Sequence, residues 1–147
     1  NSSRTRSTRG FETYVLNLAT SNADREIAAR ENAASQASIS DLQDLLLQIA
    51  LQDTVDESRE LASHIQQAMA ERQDFGRDRG VKQAPFVVLI GANMPSILAE
   101  VSFISNPDDE LLLQGDERRH EIVEALFDGV RSYLETLSGS RTAHIRE

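Results

Sequence analysis

Glu100 is the residue whose position most directly suggests chemistry, because it interrupts the otherwise apolar segment SILAEVSF. An ionised carboxylate in a low-dielectric interior is costly unless a partner or solvent compensates it. Strand alternation places Glu100 on one face with Leu98 and Ser102. Two interpretations stay open: a glutamate on the wetter face of an edge strand, or a carboxylate at the C-terminal end of a strand, pointing into a cleft, where α/β sheets usually place their chemistry.

Other familiar catalytic or metal-binding patterns do not occur in the sequence. The histidines His64, His120 and His144 are not spaced as a metal-binding pair, and the chain has no cysteine. No H-E-x-x-H, G-x-S-x-G or phosphate-binding glycine motif occurs. A complete zinc site within these 147 residues is therefore not expected.

The order of the elements around Glu100 predicts an α/β fold. Strands are expected at 10–17, 86–90 and 97–103; helices at 20–34, 37–53, 56–73, a short one from Pro107 and 116–137; and a loop at 74–85. Asn106 is expected to cap the helix that begins at Pro107, and Gly139 to end the last helix. Three or four strands are few for a complete covered sheet.

Length and composition indicate one folded domain that does not bind polyanions by bulk charge. The 147 residues are 39% hydrophobic and 27% charged, with a formal net charge of −9 that works against binding nucleic acid or an anionic membrane. The first residues, which include Arg4, Arg6 and Arg9, are typical of a solvated, mobile leader. The apolar runs are too short to span a bilayer, and any export signal is expected outside this chain.

Several segments together resemble the second half of the zinc-dependent N-acetylmuramoyl-L-alanine amidases, the cell-wall amidase family typified by the Gram-negative cell-division enzymes. They are RGFETYVLN (9–17), AARENAA (28–34), DESRELASHIQQAM (56–69), residues 80–113 and IVEALFDGVRSYL (122–134). The most specific block is MPSILAEVSFISNPDDE (94–110), which matches the family pattern of proline, apolar strand, glutamate, Gly or Ser, Phe and then SN.

The resemblance implies an α/β fold with a mixed central sheet flanked by helices, in a periplasmic or cell-envelope protein that hydrolyses the amide joining N-acetylmuramic acid to L-alanine of the stem peptide of peptidoglycan. In that family Zn²⁺ is held by a histidine, a glutamate and a second histidine, and a further glutamate acts on the zinc-bound water. Glu100 is at the position matching that further glutamate, which implies the role of general base and then general acid.

The metal ligands of the family belong to motifs that precede the RGFETYVLN strand, and nothing in residues 1–10 matches them. We therefore expect residues 1–147 to be a single amidase catalytic domain that lacks its N-terminal part. The zinc ligands are expected in that part, and the fragment alone is expected to be inactive.

Residues 28–53 match an insertion that, in the cell-division amidases, includes a helix covering the active site until an activator with a LytM-type domain displaces it. The resemblance thus implies a regulatory helix at 37–53 and an activator partner. The broad apolar surface of 37–53 agrees with a helix that exchanges partners, although ordinary two-sided core packing explains it equally well. Glu31 is the candidate autoinhibitory acid that reaches the metal.

Two interpretations from other classes stay open beside the amidase. One is a non-catalytic module that keeps the sheet and binds cell wall or an activator without metal. The other is an unrelated α/β structural domain in which Glu100 is only a residue on the solvent-facing side of its strand.

Overall fold

The computed structural model of the chain describes residues 1–33, 54–72 and 75–143. Its helices and strands are β1 (Phe11–Leu16), α1 (Asn22–Asn32), α2 (Thr54–Ala70), β2 (Asp78–Ala84), β3 (Ile97–Glu100), α3 (Pro107–Gln114) and α4 (Asp116–Ala143). The predicted helix at 37–53 and His144 lie outside the described residues.

The three strands form one mixed sheet in the order β2–β1–β3, flanked by helices, so the predicted α/β class is confirmed. β1 and β2 run parallel. The N–H of Phe11 donates to the carbonyl of Arg77 (3.1 Å) at one end, and the N–H of Asn17 donates to that of Ala84 (3.3 Å) at the other. All six residues of β1 are buried, as expected for a strand with a neighbour on each side.

The predicted loop at 74–85 is wrong from Asp78 onward, because Asp78–Ala84 is strand β2. Its sequence, DRGVKQA, consists mostly of charged, polar or small residues and shows no alternation of large apolar and polar side chains. Long-range partners hold the strand instead: Arg79 pairs with Glu12 (2.8 Å), and Lys82 lies 3.6 Å from Asp24. Among the described strands, β2 occupies an edge of the sheet, where polar side chains are tolerated.

The predicted strand at 86–90 is also wrong, since Val87–Leu89 forms a single 3₁₀ turn. The side-chain amide of Asn32 donates to the carbonyl of Pro85 (2.8 Å) and accepts from the N–H of Val87 (2.9 Å). These two bonds satisfy the carbonyl of Pro85 and the N–H of Val87, which in a strand would pair with a neighbouring strand. The strand predicted at 97–103 is confirmed but ends at Glu100.

The chain divides into two compact units, one of Asn1–Glu12, Ser63–Gly80 and Glu100–Glu147, the other of Thr13–Ala62 and Val81–Ala99. The second unit has an apolar cluster in which the rings of Tyr14 and Phe86 meet edge to face at 4.9 Å. Its buried members are Tyr14, Leu16, Ile27, Ala28, Ala84, Phe86 and Leu89.

In the first unit, α4 packs against the part of α2 around Ile65. A Cβ added to Gly129 of α4 would lie 2.8 Å from the Cα of Ile65, so the helices approach closely at this glycine. The helix continues to Ala143, so the prediction that Gly139 ends it is wrong. Of the large apolar and aromatic residues along α4, Ile122 and Tyr133 are buried, whereas Val130 and Leu137 are 42% and 41% exposed.

Asn106 caps α3 as predicted, since its side chain accepts from the N–H groups of Asp108 (3.0 Å) and Asp109 (3.2 Å). Pro107 is the first residue of the helix. Among the described residues, no helix is both long and apolar enough to cross a membrane.

Candidate functional site

Glu100 is the last residue of β3, and its side chain is 10% exposed. This burial contradicts the interpretation of Glu100 as a solvated residue on a wet face. One carboxylate oxygen, Oε2, lies 3.3 Å from the main-chain nitrogen of Asn1. A buried carboxylate with a polar neighbour retains an oxygen lone pair with which to accept a proton, which is what a general base requires.

Asn1 lies against the chain that follows β3. Its nitrogen donates to the carbonyl of Ser102 (3.0 Å), and its carbonyl accepts from the N–H of Ile104 (2.9 Å). This is the hydrogen-bond pattern of one residue pairing in parallel with Phe103. The main chain at Asn1 is therefore held beside Glu100 by strand-like pairing.

Glu12 is a second buried carboxylate in the same unit, with a side chain that is 0% exposed. Its Oε2 accepts from Nε of Arg79 (2.8 Å), and its Oε1 accepts from Nδ2 of Asn1 (3.1 Å). Sequence reasoning missed this residue, although the signal that drew attention to Glu100 was present: a lone carboxylate within a strand of apolar and β-branched residues. Asn1 thus contacts both glutamates.

The first residues are not the mobile leader that the sequence predicts. The N–H of Ser3 donates to Oγ of Ser105 (2.9 Å), and Nδ2 of Asn106 donates to the carbonyl of Arg6 (2.8 Å). Arg9 pairs through Nε with Asp109 (2.9 Å). The prediction failed because these partners are about a hundred residues away along the chain, where no local pattern reveals them.

Asp109 joins the segment after β3 to the start of β1. Its Oδ2 accepts from the N–H groups of Phe103 (3.1 Å) and Gly10 (3.4 Å). Gly10 has φ of +107°, and an added Cβ would lie 1.9 Å from the carbonyl oxygen of Arg77, so only glycine fits there. The position of Glu100 thus depends on a buried polar framework as well as on apolar packing.

Neither of the two histidines that the structure describes forms a metal site with these carboxylates. His64 lies near α4, with Nδ1 2.9 Å from Oγ of Ser132, and His120 is 75% exposed beside Glu124. Across the residues that the structure describes, no group of three or more His, Asp or Glu side chains could hold a metal ion. Glu31 is exposed in the last turn of α1, and its autoinhibitory role stays a prediction.

A family model and the relatives found by sequence comparison all point to the same protein family. The family model described as N-acetylmuramoyl-L-alanine amidase matches residues 1–132. The chain is 38% identical over 113 residues to the N-acetylmuramoyl-L-alanine amidase AmiA of Escherichia coli, covering 76% of this chain and 39% of AmiA. It is 30% identical over 138 residues to the amidase AmiC of Neisseria meningitidis, covering 88% of this chain and 33% of AmiC.

Solved structures agree on the fold. The crystal structure of the N-acetylmuramoyl-L-alanine amidase from Clostridium difficile 630 superposes with a TM-score of 0.61 at 25% identity, covering 92% of this chain and 54% of that one. The CwlD amidase of Clostridioides difficile, solved in complex with the GerS lipoprotein, gives a TM-score of 0.61 at 20% identity, covering 92% of this chain and 51% of that one.

The chain spans about two fifths of the length of the AmiA relatives it matches. The family model nevertheless covers nearly all of this chain, including the strand that carries Glu100. The chain belongs to the N-acetylmuramoyl-L-alanine amidase family.

Proposed function

We propose that the complete protein containing this chain hydrolyses the amide between N-acetylmuramic acid and the L-alanine of the peptidoglycan stem peptide, with Glu100 as general base and general acid. The observation that carries the proposal is the buried Glu100 carboxylate at the end of β3 in a member of the amidase family. The proposal locates the protein in the periplasm or cell envelope, where this substrate occurs.

The steps assigned to this chain involve Glu100 and water. The carboxylate accepts a proton from a water molecule, whose oxygen attacks the amide carbon. Glu100 then returns the proton to the nitrogen of L-alanine as the C–N bond breaks. The products are a carboxylic acid on the muramic acid and an amine on the stem peptide; each carries one of the two hydrogens of the water, so atoms and charge balance.

Zn²⁺ belongs to the proposal, but the described residues do not hold it. They contain no group of three side chains suited to a metal, so the residues present do not fit the ion by themselves. We place its ligands in a part of the complete protein outside these residues, as the family resemblance implies. On this proposal residues 1–147 are a portion of one catalytic domain and are inactive alone.

Glu100→Gln tests the proposal in the complete protein. The amide side chain keeps the shape of glutamate but cannot accept the proton, so we expect kcat to fall by about 100- to 10,000-fold. Release of stem peptide from purified peptidoglycan measures the effect, while bound zinc and the unfolding midpoint stay close to those of the wild type. Glu110→Gln, on the exposed surface of α3, is the matched control. Near-normal turnover by Glu100→Gln would refute the assignment.

The same assay separates the amidase from a non-catalytic module that binds cell wall or an activator. Such a module binds peptidoglycan or its partner equally well as wild type and as the Glu100→Gln variant, and it releases no stem peptide in either form. Stem-peptide release by the wild-type complete protein therefore excludes it.

We also propose an activator with a LytM-type domain as a partner. The support is the sequence resemblance of residues 28–53 to the regulatory insertion of the cell-division amidases. Deleting residues 37–53 from the complete protein is expected to raise basal release of stem peptide and to abolish further stimulation by the activator. Unchanged basal activity in a folded deletion variant would remove the support for this regulation.

A further inference from the structure

Glu12 has two donors that compensate its burial. Its carboxylate is fully buried, and such a charge is expensive unless hydrogen bonds and an opposite charge satisfy it. Arg79 provides the charge through Nε at 2.8 Å, and Asn1 provides a side-chain N–H at 3.1 Å. Each carboxylate oxygen therefore has its own donor, which fixes the orientation of the Asn1 side chain.

Asn1 is fixed at its main chain as well. Its nitrogen donates to Ser102 at 3.0 Å, and its carbonyl accepts from Ile104 at 2.9 Å. Its Oδ1 accepts from the N–H of Ser2 at 2.7 Å. Together with the bond to Glu12, these contacts hold the residue whether its nitrogen is an amino group or a peptide N–H. That nitrogen lies 3.3 Å from Oε2 of Glu100.

Arg79 connects Glu12 to the chain segment that follows Glu100. Its guanidinium carbon lies 5.2 Å from the centre of the Phe103 ring, and Phe103 is 1% exposed. Phe103 follows Glu100 by three residues on the same chain segment and pairs in parallel with Asn1. A shift of Glu12 would therefore be transmitted to Glu100 along two routes, through Asn1 and through Arg79 with Phe103.

We infer that Glu12 is a positioning residue: with Arg79 it holds Asn1 and the segment after β3 so that the Glu100 carboxylate is fixed for proton transfer. This inference rests on the proposed role of Glu100. Proton transfer depends steeply on geometry, and a displacement of about 1 Å at a catalytic group can cost about 100-fold in rate. Glu12 has no assigned contact with substrate, so its effect is expected in kcat and not in KM.

The test is Glu12→Gln in the complete protein, assayed by stem-peptide release. A glutamine presents an N–H₂ group to one of the two donors that Glu12 accepts from, so we expect kcat to fall by about 10- to 100-fold with KM unchanged. Glu110→Gln is again the control. The same change in the Glu100→Gln background is expected to alter the residual rate less than about 2-fold, because positioning matters only while the base is present.

The double variant Glu12→Gln with Asn1→Asp exchanges donor and acceptor across this contact and is expected to recover part of kcat. Asn1→Ala removes the side-chain donor to Glu12, together with the acceptor of the Ser2 N–H, and leaves Glu12 itself unchanged. It is expected to lower kcat as well, and it replaces Glu12→Gln in the test if that variant does not fold. An unchanged kcat in a folded Glu12→Gln protein, or an equal loss in both Glu100 backgrounds, would overturn the inference. If Glu100→Gln itself stays active, the proposed function fails, and this inference fails with it.

Discussion

At the scale of single residues, the site rests on carboxylates whose burial is matched by specific donors. Asp109 is 4% exposed and accepts from the main chain of Phe103 and Gly10 and from Arg9. Its neighbour Asp108 has a side chain that is 71% exposed and pairs with the same arginine. The two adjacent aspartates thus share a side-chain type and an arginine partner but differ in burial, so substitutions of Asp108 serve as controls for substitutions of Asp109.

Asp109→Ala is expected to lower the free energy of unfolding by about 2–4 kcal/mol, because two buried N–H groups lose their acceptor. Asp108→Ala is expected to change it by less than about 1 kcal/mol, as is usual for an exposed ion pair near a helix N-terminus. Urea denaturation followed by circular dichroism measures both. Equal effects of the two substitutions would contradict the roles given to them.

At the scale of elements, one glycine sets the distance between α2 and α4. Gly129 is buried, and the nearest atom to an added Cβ is the main-chain Cα of Ile65 at 2.8 Å, which cannot rotate away. Alanine has the higher helix propensity by about 1 kcal/mol, so propensity and packing oppose each other at this position.

We expect packing to prevail, with Gly129→Ala lowering the free energy of unfolding by about 1–3 kcal/mol, the usual cost of overfilling a packed contact. Glu135→Ala, exposed on the same helix, is expected to stay within about 0.5 kcal/mol of the wild type. Thermal and urea denaturation of the two variants provide the measurement. Stabilisation by Gly129→Ala would show that the helices are not in close contact there.

At the scale of the whole molecule, the proposed chemistry needs more than the described residues provide, since they contain no three-ligand metal group. The solved amidases that share this fold have chains about twice as long as the part matched here. A protein in which metal ligands and general base come from distant segments can assemble its site only after both have folded together.

We therefore expect the complete protein to bind zinc stoichiometrically, and residues 1–147 expressed alone to bind none. Chelation should abolish stem-peptide release by the complete protein and lower its Tm, because a ligand that binds only the folded state stabilises it. Metal analysis and thermal denaturation with and without chelator provide the readouts. Tight zinc binding by residues 1–147 alone would contradict the proposed location of the ligands.

The sequence by itself determined those features that depend on neighbours a few residues apart. Strand β1 follows from alternating β-branched and aromatic residues, and α2 from apolar residues at helical spacing. The start of α3 follows from Asn106 and Pro107, whose capping roles act within one turn. Glu100 drew attention for a similarly local reason, a charge inside an apolar segment.

The tertiary structure alone decided what depends on distant partners. Strand β2 exists because of its pairing with β1 and ion pairs such as Arg79 with Glu12, 67 residues apart, although its own residues favour a loop. The turn at Val87–Leu89 depends on Asn32, and the order of the first residues depends on the segment after β3. Local patterns carry no information about which distant groups will meet, so the partners of Glu100 and Glu12 could be read only from the folded chain.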